Sequence, residues 1–245
     1  MCFHFTLTTD LPSIKRILDI KETQIISCAP RYYINGFDYP QCPVVLKKDM
    51  TLMQWGLIPS WVTRLEQAWE IRSKTLNARI ETVSEKVSFS DSVRRHRCLV
   101  PMNGFFEWMH LGRLKIPHFI YPTDSFLFLV AGIYSEWVSR ADQTTWYTFS
   151  MLTTRANPLM EKIHNTKKRM PLILHDELAT AWISEEKINP GDFCDPYPES
   201  RMQAHPVSSR LILQPTASEN PRVIERCDHP AITSKRNPGL FDTTL

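Results

Sequence analysis

With 245 residues, 42% of them hydrophobic, the chain can bury a core as one large domain or two small ones, which excludes an intrinsically disordered protein. A formal net charge of +3 permits an anionic partner such as nucleic acid without requiring one. No stretch approaches the roughly 18 apolar residues of a bilayer-crossing helix, and the chain opens on no basic-then-apolar leader, so the expectation is a cytoplasmic protein with no membrane partner.

In chain order, "MCFHFTLT" alternates as a strand does and places Cys2 directly behind Met1. "LPSIKRILDI" reads as a helix with a proline at its start, and "CPVVL" and "MTLMQWGLI" read as strands. A helical signal then covers the region around "TRLEQAWEIRSKTLNARIETVSEK". After the basic run "RRHR", "RCLVPMNGFFEWMH" turns at a glycine and sets Glu107 between Phe106 and Trp108. Aromatic and β-branched runs follow in "PHFIYP", "SFLFLVAGIYSEWV" and "TTWYTFSMLTT". "NPLMEKI" is a short helix leading to His164, "RMPLIL" a strand, and "HDELATAWI" another helix.

Strands and helices do not alternate regularly, so a parallel sheet with crossover helices is a poor fit. The expected fold is α+β, a single domain over residues 1–215 built on a largely antiparallel, barrel-like curled sheet with peripheral helices. Residues 216–245, from "ASENPRV" through "SKRNPGLFDTTL", are polar enough to read as a loose tail.

Seven glycines against eighteen prolines leave no phosphate-cradling glycine loop, so no nucleotide cofactor is expected. The six cysteines are scattered without a C-x-x-C pair, which suggests neither a metal site nor a disulfide framework.

Taken singly, the chemically able residues have plain structural readings. Glu107 could be a strand residue facing water, His164 a partner of a helix C-terminus, Asn77 and Arg79 the polar end of a helix, and "RRHR" a solvated face. Their order changes the picture. Cys2, "WGLIPSW" (55–61), "NARIET" (77–82), "RCLVPMNGFFEW" (97–108) and "IHNTKKRMP" (163–171) together resemble the SRAP family, the SOS response-associated peptidases, whose members are described as shielding abasic sites in DNA.

The resemblance implies an abasic-site sensor in single-stranded DNA, including a single-strand/duplex junction, that acts as a monomer without cofactor. Removal of Met1, by an aminopeptidase or by self-processing, would give Cys2 a free α-amine beside its thiol. That amine, with a pKa near 7.7 to 8.0, can attack the sugar aldehyde to form an imine, and the thiol then closes a five-membered thiazolidine. An internal lysine would stop at the imine. By the same resemblance, Cys2, Asn77, Glu107 and His164 are the catalytic residues, with Glu107 and His164 moving protons and Asn77 holding the sugar or amine. Arg79 and Arg169 would clamp phosphates, and Trp61 and Trp108 would stack bases.

Two departures stand out. Phe3 and His4 occupy the places of the family's glycine and arginine, so His4 would contact phosphate only when protonated or as a neutral donor. Three extra residues separate His164 from Arg169, so either the loop bulges and Arg169 keeps its place, or Lys167 or Lys168 takes over. Two other functions remain open from sequence: a thiol peptidase with Cys2 as nucleophile and His164 as base, and a non-catalytic single-strand binding module.

Overall fold

The computed structural model describes residues 2–20, 22–23, 28–47, 49–184 and 186–233. Its strands in chain order are β1 (His4–Leu7), β2 (Glu22–Thr23), β3 (Arg31–Asn35), β4 (Gln41–Val45), β5 (Asp49–Trp55), β6 (Asn77–Arg79), β7 (Arg97–Met102), β8 (Gly104–Leu111), β9 (Leu114–Pro122), β10 (Phe128–Val138), β11 (Thr145–Arg155), β12 (Arg169–Pro171), β13 (Ile173–Leu174) and β14 (Met202–Pro206). The helices are α1 (Leu11–Ile17), α2 (Leu65–Arg72), α3 (Ser90–Arg95), α4 (Pro158–Ile163), α5 (Asp176–Ser184), α6 (Ser209–Ile212) and α7 (Pro230–Thr233).

Five strands, β11-β10-β7-β4-β5, run antiparallel in sequence around a barrel, which closes where β5 lies parallel to β11 with Gln54 opposite Thr148 and Trp55 opposite Phe149. Strand β7 is buried at every position, as a strand covered on both faces must be. A second sheet, β14-β9-β8-β1-β3, packs against this barrel. The α+β, largely antiparallel, barrel-like expectation therefore describes the molecule, with the addition of this second sheet.

The barrel core centres on Trp55, whose ring lies 5.5 Å from Phe5 and 6.1 Å from Phe149 and whose indole donates to the Leu76 carbonyl at 2.7 Å. Gly36 lies against that indole so closely that a Cβ would come within 2.8 Å of it.

The helical reading of residues 63–86 holds only for α2. Beyond it, Asn77–Arg79 joins β11 in parallel as β6, with Asn77 opposite Met151 and Arg79 opposite Thr153. Sheet hydrogen bonds from a distant strand override a local helical preference there. The expected loose tail also differs in part. Ala217 and Val223 are buried in a cluster with Phe106 and Phe119, and Val207 bridges Arg226, so residues 216–226 belong to the fold. "SKRNPGLFDTTL" lies outside the described residues.

Candidate active site

The candidate residues meet where the two sheets adjoin. Strand β1 pairs with β8 through Phe5 and Phe105, which brings Cys2 to the strand that carries Glu107. Gly104 is needed at this join: a Cβ there would lie 2.5 Å from the Ile120 carbonyl and 2.5 Å from the Phe119 ring. From the other sheet, β6 supplies Asn77, and α4 delivers His164 directly after its last turn. That helix starts where it does because Asn157 accepts from the Met160 amide at 2.8 Å and Pro158 opens its first turn.

Asn77 is buried and donates through Nδ2 to the Cys2 carbonyl at 2.9 Å. The Cys2 side chain is fully enclosed, and its Sγ lies 3.5 Å from the His4 carbonyl, to which it donates. Burial pushes the thiol far above its ordinary value, and the nearby charge of Glu107 pushes it the same way. The sulfur is therefore a neutral thiol at physiological pH. Met1 lies outside the described residues.

Glu107 and His164 face each other, with Oε1 3.8 Å from Nδ1 and side chains 6% and 7% exposed. The same Nδ1 lies 2.8 Å from the Arg169 carbonyl. A carbonyl can only accept, so Nδ1 carries a hydrogen and the lone pair of the neutral ring is on Nε2.

Arg169 stands elsewhere than its expected role would have it. Its guanidinium makes a two-point pair with the Glu81 carboxylate at 2.6 and 2.9 Å and donates to the Thr153 carbonyl at 2.6 Å. Burial is the largest single effect on the Glu81 carboxyl and works to raise it, but the Arg169 hydrogen bonds, a bond to its own backbone amide and the charges of Arg169 and Arg79 together leave the group below its ordinary value. A guanidinium engaged on a carboxylate and a carbonyl is already occupied, so Arg169 is an internal strut tying β12 to the turn that follows β6 and to β11 rather than an open phosphate clamp. The lengthened loop leaves Lys167 and Lys168 exposed, with Lys168 in the left-handed region at φ 50 and its ammonium 3.6 Å from Glu161. Asn165, in the same loop, exchanges two hydrogen bonds with the backbone of His110 on β8, at 2.8 and 3.1 Å.

The remaining expected DNA contacts divide by exposure. Arg79, two residues beyond Asn77 on β6, is exposed, and Trp61 is 45% exposed with its indole donating to the Val87 carbonyl. Trp108 is half-buried, edge-on to His4 at 4.9 Å, while His4 stacks on Tyr33 at 5.1 Å. Burial lowers the His4 imidazole to about 4, against a smaller opposing effect of the Asn35 side chain. His4 is therefore neutral at physiological pH, and the protonated form of the phosphate contact is corrected to a packed, neutral ring. Sequence reasoning counted Glu81 among the chemically able residues but missed its partner, and it missed Asn165 altogether. Glu81 lay inside the quoted "NARIET", but its partner is set by strand pairing and not by local pattern.

Among the described residues, no group of three or more His, Cys, Asp or Glu side chains is arranged to hold a metal, and no helix is long and apolar enough to cross a membrane.

Comparison with known proteins gives a consistent result. The family model described as SOS response associated peptidase (SRAP) matches residues 1–212. The abasic site processing protein YoqW of Bacillus subtilis is 38% identical over 177 residues, 71% of this chain and 75% of its own. The abasic site processing protein HMCES of Xenopus tropicalis is 27% identical over 214 residues, 79% of this chain and 61% of its own. A crystal structure of a protein from Bacteroides thetaiotaomicron superposes with a TM-score of 0.87 at 32% identity, covering 93% of this chain and all of that one.

Proposed function

The chain belongs to the SOS response associated peptidase (SRAP) family, and from that premise we propose that it processes abasic sites in single-stranded DNA by joining Cys2 covalently to the open-chain sugar. The observation that carries this reading is the bond from Asn77 to the Cys2 carbonyl beside the enclosed Glu107–His164 pair. It fixes the backbone of the reacting residue within reach of two groups that can exchange protons.

With Met1 removed, the Cys2 nitrogen becomes an amine whose attack on the aldehyde carbon forms a C–N bond and a carbinolamine. Loss of one water, its oxygen protonated by His164 or Glu107, gives the imine. The Cys2 sulfur then adds to the same carbon while its proton passes to the ring nitrogen through the Glu107 carboxylate. The net change is one C–N bond, one C–S bond and one water released. Run backwards, the same steps release the DNA.

A high thiol pKa suits this order of events, because sulfur is needed only after the imine has formed. It weighs against the thiol-peptidase reading, which needs a thiolate as first nucleophile. On this reading the exposed Arg79 and Trp61, with the exposed Lys167 and Lys168, receive the strand's phosphates and bases; their exposure supports it.

The test is intact-mass analysis after incubation with an oligonucleotide bearing one abasic site. The expected product is a stable adduct of protein lacking Met1 plus oligonucleotide minus one water. Equal adduct yield from Cys2→Ala, or from protein that retains Met1, would overturn the assignment.

A further inference from the structure

The run "RRHR" has no part in the chemistry above, and the fold puts it elsewhere: β7, which begins at Arg97, is separated from β6 by β10 and β11 in sheet order. Within the run, Arg97 is an internal brace. Its buried guanidinium donates to the Val93 and Arg94 carbonyls at the end of α3, at 3.0 and 2.7 Å, and to the Trp182 carbonyl of α5 at 2.7 Å. Bracing α3 in this way turns Arg94 and Arg95 outward over an open cleft of about 490 Å³, with Lys47 on the opposite wall. Lys47 is itself oriented by a 3.0 Å bond to the Ser184 carbonyl. Among the described residues, Glu186 is the carboxylate lining this cleft and Asp91 lies 3.4 Å from Arg95, so the three outward cations Lys47, Arg94 and Arg95 face two acids.

The cleft continues through Leu46, Lys47 and Ile183 into a second cavity of about 270 Å³ between α1, α5 and the barrel. Its floor includes Ile17, Ile20, Val45 and Leu129, and no aromatic ring lines it among the described residues. Asp19 lies in this apolar part. The groove is thus basic at one end and aliphatic, with one carboxylate, at the other.

We propose that this groove is a docking site for a short partner-protein segment that carries acidic residues at one end and aliphatic or aromatic side chains at the other. Charge complementarity sets the acidic part against Arg94, Arg95 and Lys47, and the apolar anchors fill the aliphatic cavity. A nucleic acid strand fits less well: its bases gain most from flat aromatic surfaces, of which the described lining offers Tyr134 in the basic cleft and none in the aliphatic cavity, where sugars and phosphates have nothing to bury. Asp19 adds polarity, because a second cluster of acids would be repelled from the apolar end. The proposal is independent of the abasic-site chemistry and is read out without it.

The probe is a fluorescein-labelled peptide of about twelve residues, with four Asp or Glu followed by Leu, Ile and Phe, measured by fluorescence anisotropy on the whole chain. The expected result is saturable binding in the micromolar range that weakens about tenfold or more in R94E/R95E and with rising salt. The lysine-for-acid version of the peptide should not bind. R94K/R95K should bind like the parent, which separates charge from packing. If R94E/R95E fails to fold, K47E carries the same expectation. Unchanged affinity in the charge-reversed variant overturns the proposal. So does equal competition by an acidic peptide without apolar residues or by an undamaged single-stranded oligonucleotide, since either would mark the groove as a general polyanion surface.

Discussion

The His164 imidazole and the Glu107 carboxylate lie 3.8 Å apart, one just past the end of α4 and the other in the middle of β8, with water nearly excluded from both. Because Arg169 accepts the Nδ1 hydrogen, the ring cannot turn without breaking a 2.8 Å bond. Glu107→Gln keeps the shape and removes the charge. It should slow adduct formation by about 10²-fold or more while leaving binding to undamaged single strands within a factor of about two. Single-turnover gel assays and anisotropy measure the two separately, and an unchanged adduct rate would make Glu107 a packing residue.

Enclosure of the Cys2 sulfur makes a second expectation. In protein that still carries Met1, alkylation of Cys2 by a maleimide should be slower than that of the exposed Cys227 by at least about 10²-fold, since a neutral, buried thiol has little thiolate to offer. Peptide mapping after timed labelling resolves the two sites. Rapid labelling of Cys2 would show that the sulfur is neither closed in nor protonated.

Asn77→Ala removes the donor to the Cys2 carbonyl. The buried carbonyl then lacks a partner, which costs roughly 1–3 kcal/mol of stability. The adduct rate should fall further than that loss accounts for, because the reacting residue is no longer fixed. Asn77→Asp, with no amide donor, should resemble the alanine variant in rate. Thermal melts alongside adduct kinetics decide the matter.

The Glu81–Arg169 pair carries a pH signature. Glu81 is depressed in the folded chain, so its contribution is complete above its ordinary value near 4.5 and is lost as pH falls through the lower folded value. Glu81→Gln leaves the Arg169 guanidinium facing a neutral amide. With Glu81 partly exposed, the cost at neutral pH is about 1–3 kcal/mol, and the difference from the parent should shrink below pH 4.5. Denaturant titrations at pH 7 and pH 3.5 measure it. An equal difference at both would mean that the carboxylate charge is irrelevant.

His4 and His118 act in the same direction but at higher pH. Burial is the leading cause at both, and each falls from 6.5 to about 4 in the folded chain. The unfolded chain takes up protons first as pH drops, so stability is full above about pH 6.5 and falls as pH goes from 6.5 towards 4, by up to about 3 kcal/mol for each ring. Replacing His118 by Gln should flatten that part of the stability curve. A parent curve that is already flat between pH 6.5 and 4 would contradict the assigned burial.

Much of the architecture was legible because its signals are local. Alternation in "MCFHFTLT", apolar runs such as "CPVVL" and proline-led helices such as "NPLMEKI" became β1, β4 and α4. The four residues gathered at the site, Cys2, Asn77, Glu107 and His164, were legible only through the order of their surrounding motifs. What the sequence did not disclose depends on pairing between distant segments. The parallel contact of β5 with β11 that closes the barrel has no local signature, nor has the β6 pairing that turned a helical pattern into strand. The engagement of Arg169 by Glu81 follows from β6 and β12 flanking the same strand, a relation no spacing rule encodes. Residues 216–226 looked dispensable because they are polar on average, while two of them, Ala217 and Val223, carry the burial.

The seam between β5 and β11 also bears on when chemistry can begin. Closure joins segments far apart in the chain, which is the slow kind of contact to form, and β6 can dock only on a β11 already in place. Asn77 arrives with β6, and the Arg169 carbonyl arrives with β12, which pairs with β11 on its own account, so a half-folded or newly made chain holds a cysteine without the surroundings that would direct it. If Cys2 reacts as proposed, stray cellular aldehydes would meet a competent centre only once the whole protein has matured.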